Sequence, residues 1–267
     1  MSSITTDQGI LHYEVYGRGK PVILLHGWLG SWGLWQETMT YLGQYYRTYA
    51  LDFWGFGESG KKLDTYEVGE FVALVDQFME KLGIIRAPLV GHSMGGTVSL
   101  SVALRYPQRV EKVVIIGSPV VGSSLALPLK LAGWRVVAFF LFRLFPVFRA
   151  AMRVASPTIC RDPRFPDMMD RDLSRTTLES FLTSIASLRR TNLSNEIHRI
   201  QVPVMGMFGD RDNIVNPNQW KALRNGLPNS RIERYPNAGH FIMLDEPRTF
   251  MLTLKEFLDS PAPDSSP

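Results

Sequence analysis

The feature that most constrains the fold is an alternation of strand-like and helix-like segments along the first half of the chain. Short apolar runs bounded by glycine or proline, such as Pro21–His26 and Ala87–His92, predict buried strands. Between them, Tyr66–Leu82 spaces its apolar residues at the helical period. Because such alternation produces parallel sheets with right-handed crossovers, the pattern predicts an α/β fold, a mostly parallel twisted sheet flanked by helices. The predicted strands are Ile10–Tyr16, Pro21–His26, Tyr46–Asp52, Ala87–His92, Val110–Gly117, Val202–Phe208 and Arg231–Tyr235, and the predicted helices are Ser31–Leu42, Tyr66–Leu82, Ser93–Arg105, Pro217–Gly226 and Leu244–Leu258.

The alternation stops at Ser118 and resumes at Val202. The segment between them has helical patterns and prolines but no convincing strand, and its length of about 80 residues exceeds that of an ordinary loop. We therefore expect one α/β core in two parts, 1–118 and 196–267, separated by a helical insertion, the cap, over residues 119–195.

Composition excludes several classes of protein. With 45% hydrophobic and 20% charged residues, the 267-residue chain is not globally disordered. Its net charge, 29 − 25 = +4, is too small to indicate nucleic-acid binding. A single cysteine, Cys160, excludes an internal disulfide and a cysteine-based zinc site. The start lacks the features of a signal peptide and no apolar run is long enough to span a membrane, so a cytoplasmic location is expected. Oligomeric state has no signal.

A nucleophile motif stands at the end of one predicted strand. Gly91-His92-Ser93-Met94-Gly95 has the form G-x-S-x-G between a strand and a helix. A sharp turn there lifts the Ser93 hydroxyl to the carboxyl edge of the sheet, beside a helix N-terminus that favours developing negative charge. The alternative is a glycine-rich turn whose serine only caps the helix.

A catalytic serine needs a base and an orienting acid, in the chain order Ser, acid, His. His240 lies in a loop after the last strand, Asn237-Ala238-Gly239-His240-Phe241, and is the predicted base. Two carboxylates, Asp210 and Asp212, follow the preceding strand. We choose Asp212, because Asp210 stands closer to the strand and is more typical of a turn residue.

Two backbone N–H groups are expected to form an oxyanion hole. One belongs to Met94, the residue after the nucleophile, and the other to Trp28 in the loop His26-Gly27-Trp28-Leu29-Gly30. Alternatively, the two glycines of that loop only permit a tight turn. A further glycine-rich stretch, 52–59, is interpreted as a structural loop.

Five motifs in order, HGWLGS, DFWGFGES, GHSMGG, GDRDNIV and AGHF, span residues 26 to 241. Together they resemble the α/β-hydrolase superfamily, and within it the esterases, monoacylglycerol lipases and C–C hydrolases. The resemblance implies an α/β-hydrolase fold with a helical cap, a catalytic triad of Ser93, Asp212 and His240, and an oxyanion hole of Trp28 and Met94. It implies no metal and no cofactor. A serine nucleophile argues against the epoxide hydrolases and haloalkane dehalogenases of the superfamily, which use aspartate.

The function expected from the resemblance is hydrolysis of small-molecule carboxylic esters through an acyl-enzyme on Ser93, with small to medium acyl chains. Other chemistries of the same triad stay open: C–C bond hydrolysis, perhydrolysis, and hydrolysis of thioesters, lactones or amides. C–C hydrolases often have G-N-S-M-G at this turn, from which His92 departs. A ligand-binding receptor on the same fold is the non-enzymatic alternative.

The cap segment Leu125–Arg153 is both strongly apolar and basic. It is interpreted either as helices packed on the core with arginines in water, or as a lid that lines an acyl pocket and makes weak contact with a lipid surface. The expected substrate-binding residues are Gly27, Trp28, His92, Trp134 and Phe139.

Overall fold

The computed structural model describes residues 2–61, 66–132 and 143–261. Its centre is an eight-stranded sheet with the order β1-β2-β4-β3-β5-β6-β7-β8. The β1–β2 and β2–β4 pairs are antiparallel and the other neighbours are parallel. The predicted fold class is therefore confirmed. The strands are β1 (Ser2–Thr6), β2 (Gly9–Gly17), β3 (Pro21–Leu25), β4 (Arg47–Leu51), β5 (Ala87–His92), β6 (Val110–Ile116), β7 (Val204–Gly209) and β8 (Arg231–Tyr235).

Helices cover both faces of this sheet. The helices are α1 (Gln36–Leu42), α2 (Val68–Lys81), α3 (Met94–Arg105), α4 (Leu127–Ala132), α5 (Phe145–Ala155), α6 (Phe165–Ser174), α7 (Leu178–Arg190), α8 (Gln219–Gly226), α9 (Ile242–Asp245) and α10 (Pro247–Asp259). On one face α1 and α10 bury residues such as Met39 and Phe250. On the other, α2 and α3 bury residues such as Phe71 and Val98. The central strands β5 and β7 are buried along their whole length, which explains their continuous apolar sequences.

Three elements differ from the predictions. The edge strand β1 was not predicted, because its sequence SSITT contains one large apolar residue. The predicted helix Ser31–Leu42 begins as a 3-10 turn, Trp32–Trp35, before α1. The predicted helix Leu244–Leu258 is divided into α9 and α10 at Glu246, which has a φ of −134°. Its neighbour Pro247 causes this break, because a residue before proline is disfavoured in helical conformation.

The described part of the cap contains α4 to α7, placed between β6 and β7. Helix α7 begins with a capping box in which Thr177 and Ser180 exchange side-chain and backbone hydrogen bonds. The boundaries of the cap at 119 and 195 stay a prediction. No helix in the described ranges is long and apolar enough to cross a membrane.

Candidate active site

Ser93 occupies a tight turn between β5 and α3. Its φ of +51° lies in the left-handed region, which costs a residue with a side chain about 1–3 kcal/mol. The flanking glycines are required by close contacts. A Cβ on Gly91 would lie 2.2 Å from the carbonyl oxygen of Gly95, and one on Gly95 would lie 2.2 Å from that of Leu25. The Ser93 N–H donates to the Ile116 carbonyl at 2.8 Å, which ties the turn to β6.

His240 and Asp212 form a buried pair at the carboxyl edge of the sheet. His240 Nδ1 lies 2.7 Å from Asp212 Oδ2. The other carboxylate oxygen, Oδ1, accepts from the N–H groups of Ile214 and Val215 at 2.8 and 2.9 Å, which fixes the carboxylate plane. Gly117 leaves room for the pair, since a Cβ there would lie 3.1 Å from His240 Nδ1. With Nδ1–H donated to the acid, Nε2 of the neutral ring carries the lone pair of a base.

Asp210, the alternative acid, is turned away from this pair. Its carboxylate is bound by Arg234, with Nε at 3.0 Å and Nη2 at 2.8 Å from Oδ1. The geometry therefore brings Asp212, and not Asp210, to His240.

The loop after β3 has the form expected of an oxyanion-hole loop. The N–H of Gly30 donates to the Gly27 carbonyl at 3.1 Å, which closes a turn around Trp28 and Leu29. Leu29 has a φ of +58°, a conformation that usually requires glycine. Neither the Trp28 N–H nor the Met94 N–H donates to another described residue. Both are thus free to bind a developing oxyanion.

His26 holds this loop in place, a role that the sequence analysis did not assign. Its Nε2 accepts from the Phe53 N–H at 2.9 Å, so its proton lies on Nδ1, which donates to the Gly27 carbonyl at 2.7 Å. Burial lowers the pKa of His26 to about 4, and the ring stays neutral. The sequence signal for this role is a histidine directly before the turn glycine.

The stretch 52–59 is a buried loop beside the oxyanion-hole loop. Asp52 accepts from the Trp32 N–H at 2.6 Å and from the Glu58 N–H at 2.9 Å. Burial raises the pKa of Asp52 to about 7 despite these donors. These contacts support the structural interpretation of this stretch.

His92, expected to bind substrate, contacts His240, the predicted base. Its Nε2–H donates to the His240 carbonyl at 3.1 Å, and the two ring centroids are 4.6 Å apart. The ring also lies 4.7 Å from that of Phe241. Burial holds the pKa of His92 well below its usual value, so the ring is neutral.

Ser93 and His240 line one cavity of about 120 Å³ between the core and the cap. Of the expected substrate-binding residues, Gly27, Trp28 and His92 line it, whereas Trp134 and Phe139 lie outside the described residues. Trp28 also joins the loop to the cap, because its Nε1–H donates to the Phe181 carbonyl at 3.2 Å. The other lining residues are Leu29, Gly30, Leu34, Leu125, Leu129, Met152, Ile159, Phe165, Met168, Met169, Asp172, Ile185, Leu188, Ile214 and Phe241.

The cavity lining is apolar apart from the candidate catalytic groups, His92 and one acid, Asp172. Asp172 was not predicted as a site residue, because nothing in its local sequence pattern distinguishes it from the other aspartates of α6. No group of three or more His, Cys, Asp or Glu suited to a metal ion occurs among the described residues.

Comparison with known proteins supports this architecture. The family model for the alpha/beta hydrolase fold matches residues 20–156 and 161–247. The pimeloyl-[acyl-carrier protein] methyl ester esterase of Vibrio campbellii is 25% identical over 254 residues, covering 92% of this chain and 98% of its own. A 2-hydroxy-6-oxononadienedioate/2-hydroxy-6-oxononatrienedioate hydrolase from Pseudomonas sp. is 25% identical over 264 residues, covering 94% of this chain and 92% of its own.

A solved structure shows the same fold. The esterase from Exiguobacterium antarcticum superposes with a TM-score of 0.84 at 21% identity, over 97% of this chain and 99% of that chain. Because the family model matches most of the sequence, the chain belongs to the α/β-hydrolase family.

Proposed function

We propose that this protein is a serine hydrolase that cleaves carboxylic esters of small molecules through an acyl-enzyme on Ser93. The observation that carries the proposal is the Asp212–His240 pair at 2.7 Å, whose histidine lines one cavity with a serine held on a strained turn. This combination supplies the acid, base and nucleophile of acyl transfer.

In the proposed reaction, His240 Nε2 takes the proton of Ser93 as its Oγ attacks the ester carbonyl. Asp212 keeps the proton of the neutral ring on Nδ1 and stabilises the imidazolium that forms. The N–H groups of Trp28 and Met94 bind the oxyanion, a contribution of about 2.7–4 kcal/mol for one such donor. The alcohol leaves with a proton from His240, and water then releases the acid from Ser93 by the same steps.

The cavity lining supports an uncharged acyl group. Its described residues are largely leucine, isoleucine, methionine and phenylalanine, which favour burial of an alkyl or aryl chain. Its volume of about 120 Å³ supports a small to medium acyl group.

The second candidate function is hydrolysis of a dicarboxylate substrate. It is favoured by the similarity to the Pseudomonas relative, whose name is that of a dienedioate hydrolase. The lining weighs against it. No lysine or arginine is among the described lining residues, so a second carboxylate would have no cationic partner in this apolar cavity. We therefore place ester hydrolysis first.

The test is hydrolysis of p-nitrophenyl esters from acetate to palmitate by the parent and by Ser93→Ala. We expect turnover by the parent with an optimum at short or medium chains, and none above background by the variant. Ester turnover that survives in Ser93→Ala would overturn the proposal. If no ester is cleaved but a 2-hydroxy-6-oxodienedioate is, the second candidate takes its place.

A further inference from the structure

The cavity beside Ser93 contains one acidic side chain that the proposed reaction does not use. Asp172 lies near the C-terminal end of α6, on the cap side of the cavity, and its side chain is 4% exposed. Among the described lining residues it is the only acid, and no lysine or arginine lines the cavity with it. A carboxylate in apolar surroundings needs hydrogen-bond donors to offset its lost hydration.

Only one of the two carboxylate oxygens has such donors. Oδ1 accepts from Ser31 Oγ at 2.9 Å and lies 3.2 Å from Arg171 Nε. Oδ2 has no hydrogen-bond partner in the described parts of the chain. Burial raises the pKa of Asp172, which reflects the cost of this environment. Oδ2 is not one of the fully enclosed unpartnered atoms of the described residues, so a small molecule can reach it, and a ligand that brings a donor offsets hydration that the side chain has lost.

We propose that Asp172 is a substrate-binding residue whose Oδ2 accepts a hydrogen bond from a hydroxyl group carried by the ester. This inference rests on the proposed function and names its substrate class as hydroxy-substituted carboxylic esters. The hydroxyl belongs to the part of the substrate that contacts α6. Asp172 takes no part in bond cleavage.

A hydroxyl suits this position better than an ammonium group. Arg171 already lies beside the carboxylate and supplies a positive charge. A second cation would carry an unmatched charge into an apolar cavity, which is costly. A neutral donor satisfies Oδ2 without changing the net charge of the site.

The Ser31 contact places Asp172 next to the oxyanion-hole loop. Ser31 directly follows Gly30, and its hydroxyl also accepts from the Gly33 N–H at 3.3 Å. The carboxylate is thus fixed on one side by the core and keeps its second oxygen free. Such a fixed acceptor discriminates against a substrate that lacks the donor, because that substrate leaves Oδ2 unsatisfied.

The experiment compares pairs of esters that are equal in length and differ by a hydroxyl or a methyl group at one position. One series carries the hydroxyl along the acyl chain and a second series carries it in the alcohol. For at least one pair we expect the parent to prefer the hydroxy ester about tenfold or more in kcat/KM, the worth of a hydrogen bond to a charged group. Asp172→Leu should abolish the preference but still cleave the methyl-substituted member of each pair. Asp172→Asn should keep part of the preference.

Two control variants separate binding from structure. Ser31→Ala removes the contact to Oδ1 but leaves Oδ2, and Met168→Leu changes a neighbouring apolar lining residue. Met168→Leu should affect the two members of a pair equally and keep the preference, and Ser31→Ala should keep a smaller preference, because Arg171 still contacts Oδ1. Equal cleavage of both members by the parent in every pair, or a preference that survives in Asp172→Leu, would overturn the inference. A preference for amino over hydroxy esters would overturn the assignment to a neutral donor.

A readout without turnover keeps this inference separate from the proposed function. Calorimetric binding of alkanediols and matched alkanols to the parent and to Asp172→Leu measures the same contact directly. If the parent binds diols more tightly and the variant does not, the subsite stands even where no ester is cleaved. If diols and alkanols bind the parent equally, the subsite is refuted even where esters are cleaved.

Discussion

Replacement of Asp212 by asparagine should remove most of the activity while leaving the fold intact. Oδ1 of Asp212 accepts two backbone N–H groups, from Ile214 and Val215. The amide oxygen of asparagine must stay there, because the reversed amide would leave two N–H groups unsatisfied, at about 1–3 kcal/mol each. The amide NH2 therefore faces His240 Nδ1, and the ring proton moves to Nε2.

A histidine protonated on Nε2 is unable to take the Ser93 proton. The same wrong tautomer in a serine protease lowers kcat about 10⁴-fold, which corresponds to about 5.5 kcal/mol at about 1.36 kcal/mol per factor of ten. We expect a loss of this order in kcat for p-nitrophenyl butyrate, with the urea unfolding midpoint close to that of the parent. Asp210→Asn is the matched control and should lower kcat less than about threefold, because Asp210 binds Arg234 away from His240. Activity of Asp212→Asn within tenfold of the parent, or a larger loss in Asp210→Asn, would refute this assignment.

Four further predictions follow from the described contacts. Gly69→Ala, at an open position in α2, should raise the free energy of unfolding by about 0.5–1 kcal/mol. Gly96→Ala should lower it by about 1–3 kcal/mol, because its Cβ would lie 1.9 Å from Ser118 Oγ. Urea denaturation measures both changes. His26 should remain neutral down to its pKa of about 4. The stability that it contributes is therefore complete above pH 6.5 and is lost as the pH falls toward 4. In NMR, the shift of its ring protons should not titrate near pH 6.5. His92→Phe should lower kcat about threefold to tenfold, the worth of its hydrogen bond to the His240 carbonyl, and an unchanged kcat would contradict that role. The cap exposes Leu144, Val147 and Val154, so weak co-sedimentation with anionic vesicles is expected, and absence of binding would exclude lipid contact.

Local patterns were sufficient to predict most of the sheet, because the buried parallel strands are continuous apolar runs. The strand β1 could not be predicted in this way, since its five residues make an edge strand through backbone pairing with β2 and bury little side chain. The division of the last helix was signalled by Pro247, but Leu244–Leu258 was still predicted as one element. The type of an element could thus be predicted from the sequence where burial determines it, whereas the boundaries of the elements could not.

The candidate site could be predicted where a motif fixes backbone geometry, as at Ser93 and in the loop carrying His240. Asp212 was chosen over Asp210 because Asp210 is more typical of a turn residue, and the tertiary contacts now show that Asp212 lies against His240 while Asp210 is bound by Arg234. Asp172 illustrates the limit most clearly. Three aspartates share α6. Asp167 and Asp170 pair with arginines of α5, whereas Asp172, beside Arg171, lines the cavity. Helical spacing alone does not reveal which face meets the substrate.

The central claim is that Ser93 is the nucleophile activated by His240. The most direct test is labelling with an alkyl fluorophosphonate, followed by mass mapping, in the parent, in His240→Ala and in Ser99→Ala, a control that removes another buried serine. We expect one phosphonyl group on Ser93 in the parent and in Ser99→Ala, and a labelling rate lower by orders of magnitude in His240→Ala. Labelling of another residue, or a rate on Ser93 that does not depend on His240, would contradict the account.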